Sequence, residues 1–203
     1  MDIAVQRYGH RGSLWITRFR FITLEGMKVA AVQLTSTGNI TENQEIALAK
    51  IREAAGNGAR LIVLPEATSQ NFRSGRLDEQ AQSLEGPFAT AIQALAEELE
   101  VTVVAGMFCP ADTVERDGKT INRVSNTALI AGPGVLGGYD KIHTYDAFDY
   151  RESDTVLAGE SLVAFDVDDL VVGVATCYDI RFPEQFKELA SQGAQLIVVP
   201  TSW

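Results

Sequence analysis

Short apolar runs alternate with polar, glycine-punctuated stretches along most of the chain. Lys28–Leu34, Leu61–Leu64 and Val101–Phe108 are apolar runs of strand length. Between the first two, Thr41 and Gln44 have the spacing of a capping box, Leu48, Ile51 and Ala55 then share one helical face, and Gly56 and Gly58 end the helix. Between the second and third, Gly86-Pro87 opens a helix carrying Phe88, Ile92, Leu95 and Leu99 at helical spacing. This strand–helix alternation predicts parallel pairing in a layered α/β fold. After Cys109 the pattern changes to strands joined by turns. A polar loop around Asp117-Gly118, a strand near Thr127–Ala131, the turn Gly132-Pro133-Gly134 and a strand over Val135–His143 predict an antiparallel half. A long polar loop over Thr144–Gly159 leads to a hairpin of Ser161–Val167 and Leu170–Ala175 across Asp168-Asp169. A third helix over Pro183–Gln192 turns Phe186 and Leu189 inward with Gly193 as its cap, and Leu196–Pro200 forms a last strand.

Residues 1–26 differ, with Arg7, Arg11, Arg18 and Arg20 among Trp15, Phe19 and Phe21 and no clear period, and Met27 stands directly before the first good strand. They are expected to be an extension outside the fold, leaving one domain over residues 27–203. With 46% apolar residues in 203, the chain can bury a core of its own.

Charge narrows the class of partner. There are 17 Lys and Arg against 27 Asp and Glu, a formal net charge of −10, which argues against nucleic acid or an anionic membrane surface and for a small molecule. The longest apolar runs are strand-sized, well short of a membrane span. Two cysteines, Cys109 and Cys177, without C-x-x-C spacing fit a reducing cytoplasm rather than a disulfide framework. The two histidines, His10 and His143, form no close cluster with a cysteine, so no metal is expected.

The candidate chemistry begins at Cys177, which follows the apolar strand Val171–Ala175 and precedes Pro183, a residue suited to the first turn of a helix. A thiol there projects from the carboxyl end of a strand, where open α/β sheets place ligands, and the backbone N–H of Tyr178 is a candidate donor to a reacting oxygen. Such a cysteine is either a nucleophile or an inert buried thiol. Glu66, directly after Leu61–Pro65, and Lys141, late in Val135–His143, are placed to meet it at the same rim. A neutral-pH thiol needs a carboxylate to take its proton or a cation to hold the thiolate, and these two residues supply both. Taken singly, each is equally a solvated surface charge. Gly132–Gly137 matches G-x-G-x-x-G, but it leads into strand-like sequence rather than a helix, so a hairpin turn is expected there and no dinucleotide site.

Lys28–Leu34, Leu61–Glu66, Gly138–His143 and Thr176–Glu184, in that order, resemble the nitrilase, or carbon–nitrogen hydrolase, superfamily from Met27 to Trp203. The resemblance implies an α-β-β-α sandwich, a general base at Glu66, a cation at Lys141 and a nucleophile at Cys177, with no cofactor. It further implies a second glutamate at Glu152, within Arg151-Glu152-Ser153. The form Cys177-Tyr-Asp-Ile-Arg-Phe-Pro-Glu184 is similar to the branch that hydrolyses amides of small acids, such as ω-amidases and deaminated-glutathione amidases. Arg181 is a candidate for holding a substrate carboxylate, but a structural ion pair near the helix start is the expected role. The expected activity is amide hydrolysis through a cysteine thioester, with Lys141 and the Tyr178 N–H on the oxyanion. Nitrile or N-carbamoyl hydrolysis, or a catalytically silent binding module, stand as alternatives. Relatives continue past the final strand and pair as dimers or higher oligomers, so the sandwich is expected to be incomplete at its C-terminus.

Overall fold

The computed structural model describes residues 18–24 and 26–202. Its elements are β1 (Arg18–Leu24), β2 (Met27–Gln33), α1 (Ile40–Gly56), β3 (Leu61–Val63), α2 (Pro87–Glu98), β4 (Thr102–Arg116), β5 (Lys119–Gly132) and β6 (Val135–Asp140). These are followed by β7 (Asp146–Ala147), β8 (Tyr150–Arg151), β9 (Val156–Leu157), β10 (Val163–Val167), β11 (Leu170–Val174), α3 (Pro183–Ser191) and β12 (Leu196–Val198). Strands β1 to β6 form one sheet in sequence order, with β9 added to β5; β10, β11 and β12 form a second sheet. Pairing is parallel for β2–β3–β4 and β11–β12, and antiparallel for β4–β5–β6 and β10–β11.

The first sheet is covered on both faces, which is why its strands read as continuous apolar runs. Successive residues point to opposite sides. Ala30, Ile62, Val103, Ala105, Leu129 and Ala131 pack against Ile51 of α1 and Phe88, Ile92 and Leu95 of α2. Their neighbours Val29, Leu61, Val104, Ala128 and Ile130 pack against Leu170, Val172, Val174 and Val198 of the second sheet. On the far side of that sheet, Gly173 leaves room for Leu189 of α3, whose methyl groups lie 3.3 Å from where a Cβ would stand. The layers are therefore α-β-β-α.

The structure departs from the sequence reading in several places, among them the expected strand Val135–His143, which ends at Asp140, and the expected loop Thr144–Gly159, which contains β7, β8 and β9. Residues 1–26 are not all outside the fold: β1 pairs along its whole length with β2 across Gly26, and Phe19 enters the core with Phe21 packed beside it. Phe19 and Phe21 share a face with exposed Arg20 between them, an alternation too short to stand out; residues 1–17 lie outside the described residues. The first helix starts earlier than the capping-box spacing placed it, because Asn39 accepts hydrogen bonds from the N–H groups of Thr41 and Glu42 at 2.9 and 3.2 Å. The polar stretch around Asp117-Gly118 is the tip of a long hairpin rather than a loop, since β4 and β5 stay paired out to Arg116 and Lys119. Its outer arm is exposed and has no buried face, so it carries no hydrophobic alternation to read. In α3, Gln185 is buried beside Leu189, while Phe186 is half-buried.

Gly132–Gly137 is a hairpin turn, as expected. Gly132 pairs with Val135, and Gly134, at φ +73°, supplies the left-handed residue of the two-residue connection.

Candidate active site

Glu66 follows Pro65 at the carboxyl end of β3, and its backbone is pressed against β4. A Cβ on Gly106 would lie 1.6 Å from the Glu66 carbonyl oxygen, so only glycine permits this approach. The Gly106 N–H donates to the Pro65 carbonyl at 3.0 Å, and the Ser69 N–H donates to Gly106 at 3.1 Å. Lys141 directly follows β6. Its N–H donates to the Asn126 carbonyl at 2.9 Å and its carbonyl accepts from Gly159 at 2.9 Å, which fixes the residue just past the sheet edge.

Cys177 stands on a tight turn between β11 and the 3-10 turn Cys177–Arg181. Its φ is +47°, a left-handed value that a non-glycine residue adopts at a cost. Two bonds to the end of β12 and the residues just after it hold the turn: the Ala175 N–H donates to Val198 at 3.1 Å and the Cys177 N–H to Pro200 at 2.9 Å. The Tyr178 N–H has no backbone acceptor among the described residues.

These elements bring Glu66, Lys141 and Cys177 together with Glu152. Glu66, Lys141 and Glu152 are each 2% exposed. The Lys141 ammonium donates to Glu66 Oε1 at 3.0 Å and to Glu152 Oε2 at 2.8 Å. Asn126 Nδ2 donates to Glu66 Oε1 at 2.9 Å and Glu152 Oε1 at 3.1 Å. Backbone N–H groups complete the carboxylates: Ser202 to Glu66 Oε2 at 3.0 Å, and Tyr145 to Glu152 Oε2 at 2.6 Å. The Cys177 thiol is half-buried and within electrostatic reach of Glu66 and Lys141.

Electrostatics assign the protons. Burial by itself would lower the Lys141 pKa, but Glu66 and Glu152 together outweigh it and hold the ammonium above its ordinary value. Burial first, and then the Glu66 carboxylate, push the Cys177 thiol up to about 12 against the opposing pull of Lys141. The resting cysteine is therefore a neutral thiol beside a carboxylate. Of the two ways to activate a thiol, this geometry favours proton removal by a base over a standing thiolate. Lys141 spends two of its three N–H donors on the glutamates, which leaves one for an oxygen in the pocket. Cys109, on β4, is also a free thiol raised by burial, and it lies apart from this cluster.

A second network stiffens the turn. Asp179, fully buried, accepts from the Tyr139 hydroxyl at 2.6 Å and the Thr176 N–H at 2.8 Å. Its other oxygen accepts from the His143 N–H at 2.9 Å and faces His143 Nδ1 at 2.8 Å. The His143 ring stacks on Phe182 at 3.6 Å. Burial, followed by the Asp179 charge, raises the Tyr139 pKa, so this hydroxyl keeps its proton and remains a donor.

Arg181 departs from expectation: it is exposed and makes no ion pair among the described residues. The turn start that it was expected to anchor is held by Asp179 instead. Asn126, Asp179 and the Ser202 N–H were not anticipated. An asparagine within the buried run Ser125–Gly132 is a signal, since the amide needs partners there. Asp179 stands three residues after Thr176, the spacing of a capping box, and its carboxylate accepts from the Thr176 N–H; that spacing is the signal that could have found it. Among the described residues no group of three His, Cys, Asp or Glu side chains is disposed to hold a metal ion, and no helix is long and apolar enough to cross a membrane.

An α-β-β-α sandwich with this edge is the nitrilase-type α/β fold. The chain belongs to the carbon-nitrogen hydrolase family, which matches residues 28–203. It is 43% identical over 182 residues to a hydrolase of Mycobacterium tuberculosis, covering 87% of this chain and 61% of that protein. It is 35% identical over 180 residues to a deaminated glutathione amidase of Escherichia coli, covering 87% and 66%. An omega-amidase of Danio rerio is 32% identical over 180 residues, covering 85% and 62%. The chain thus spans a little over three-fifths of the length of these relatives. Among solved structures, an amidase of the nitrilase superfamily from Nesterenkonia sp. AN1 superposes with a TM-score of 0.72 at 21% identity, covering 87% of this chain and 65% of that one.

Proposed function

We propose that the chain forms the hydrolytic centre of an amidase that releases ammonia from the amide of a small carboxylic acid through a cysteine thioester. The observation that carries this reading is the convergence of buried Glu66 and Lys141 with half-buried Cys177, whose thiol is held neutral beside a carboxylate. The names of the relatives, a deaminated glutathione amidase and an omega-amidase, support amide hydrolysis.

Glu66 takes the thiol proton as Cys177 Sγ attacks the amide carbon. The Lys141 ammonium and the Tyr178 N–H stabilise the tetrahedral oxyanion. Collapse breaks the C–N bond, and the leaving nitrogen takes the proton from Glu66, so ammonia departs and a thioester remains. Glu66 then accepts a proton from water as the water attacks the thioester. The second collapse releases the carboxylic acid and returns the proton to sulfur. Glu152 holds Lys141 against Glu66 throughout, and the chemistry calls for no cofactor.

The test is ammonia release across a panel of small ω-amides, nitriles and N-carbamoyl compounds, with wild type and Cys177→Ala in parallel. Release from the amides that is lost in Cys177→Ala is the expected result. Turnover confined to nitriles or carbamoyl compounds, or unaffected by the substitution, would overturn the reading.

A further inference from the structure

Asn126 reaches the cluster from the middle of β5, and its amide closes a circuit. Lys141 bonds Glu66 Oε1, Glu66 Oε1 bonds Asn126, Asn126 bonds Glu152 Oε1, and Glu152 Oε2 returns to Lys141, with every link between 2.8 and 3.1 Å. Both amide hydrogens are spent on the two carboxylates. The opposite orientation of the amide would set its carbonyl against two anions, so its direction is fixed by charge. The carbonyl oxygen is left buried without a partner among the described residues, which shows that the donors and not the acceptor hold this side chain in place.

Two carboxylates and one ammonium leave this cluster with an excess negative charge in a dry setting. Left to themselves, two carboxylates this close would repel and separate. A second cation between them would keep them together, but it would also quench the basicity of Glu66. A neutral double donor joins them while leaving the charge on Glu66. It also settles which oxygen does the work: Lys141 and Asn126 fill the two lone pairs of Oε1, so Oε2, which holds only the Ser202 N–H, has room for the thiol.

We propose that Asn126 is a positioning residue that clips Glu66 and Glu152 together and presents Glu66 Oε2 to the Cys177 thiol. The inference rests on the reading of Glu66 as the base. Asn126→Asp preserves size but replaces the double donor with a third acid, and Asn126→Ala removes it. In variants that melt cooperatively, kcat is expected to fall by about 10²-fold with KM little changed, as for a misplaced reacting group. Carbamidomethylation of Cys177 by iodoacetamide is expected to slow in the same variants. The alkylation rate needs no amide substrate. A wild type that hydrolyses no amide would therefore defeat the amidase reading while the alkylation comparison still tested the clip. Folded variants with wild-type kcat and alkylation rate would overturn the proposal, as would an effect confined to KM. Should Asn126→Ala fail to fold, Asn126→Ser, which retains one donor, is expected to give an intermediate loss, and wild-type kinetics in it would equally overturn the clip.

Discussion

The Tyr139 hydroxyl donates to Asp179 Oδ2 at 2.6 Å, and together with the His143 contacts to the same carboxylate this bond ties the end of β6, which Lys141 follows, to the turn that carries Cys177. Tyr139 lies two residues before the lysine, and Asp179 two residues after the cysteine. The bond joins the two sheets and sets the spacing between ammonium and thiol. Asp179→Asn keeps the size of the side chain but turns an N–H toward one of four groups that now donate or face a carboxylate oxygen. It should cost about 2–3 kcal/mol in stability and reduce turnover in whatever remains folded. Denaturant melts beside kinetic constants check this, and wild-type values for both would remove Asp179 from its role.

The two thiols should behave differently. Cys177→Ser should lower turnover by about 10³-fold or more, because the weaker nucleophile is left beside the same base. Cys109→Ala should leave turnover near wild type. Peptide mapping after limited iodoacetamide treatment should find Cys177 modified when activity is lost; loss that tracks Cys109 instead would reverse the assignment.

Alkali should weaken the fold through Cys177. The folded thiol titrates at about 12 against an ordinary 9.0, so the fold favours its neutral form. That contribution is fully present below pH 9.0 and is lost as pH rises toward about 12, because only the unfolded chain ionises readily in that window. Cys177→Ser lacks the thiol. Wild type should therefore lose melting temperature faster than Cys177→Ser as pH rises above about 9. Parallel losses in the two proteins would show that the thiol is not held neutral.

Gly106→Ala should be among the most damaging single-methyl additions in the chain. Its Cβ would overlap the Glu66 carbonyl, a backbone atom that cannot rotate away. A destabilisation of about 3 kcal/mol or more is expected, with turnover lost because Glu66 moves. Equilibrium unfolding measures the first, and a soluble variant with normal kinetics would disprove the close packing.

Glu66 and Cys177 could be found in the sequence because each follows a strand whose apolar run is unmistakable, and β-α-β order places such ends on one edge; Lys141 follows the glycine-interrupted Val135–Asp140 and was legible through the resemblance carried by Gly138–His143. Both-face burial made those runs continuous. What escaped reading depended on the third dimension. Asn126 is one polar letter inside an apolar strand until Glu66 and Glu152 converge on it. Ser202 contributes only a backbone N–H, to which its side chain gives no clue. Strand β1 hid its two-residue alternation among arginines, and the outer β4–β5 arm has no buried face from which a pattern could arise.

The ring at Glu66 also bears on how the protein reaches its native state. Glu66 meets Asn126, Lys141 and Ser202 across 60, 75 and 136 residues, so Glu66 can join the ring only through long-range contacts, whereas the Lys141–Glu152 link spans 11 residues. Each Glu66 contact closes a long loop and loses chain entropy before any gain arrives, which makes such assembly slow. Desolvating two glutamates and a lysine before all partners are present would be unfavourable, so the ring should close late, when the two sheets dock. Until then the thiol is open to water and to chance oxidants. Shielding of Cys177 during refolding would thus serve as a clock for the last step, and catalysis would recover on that step alone.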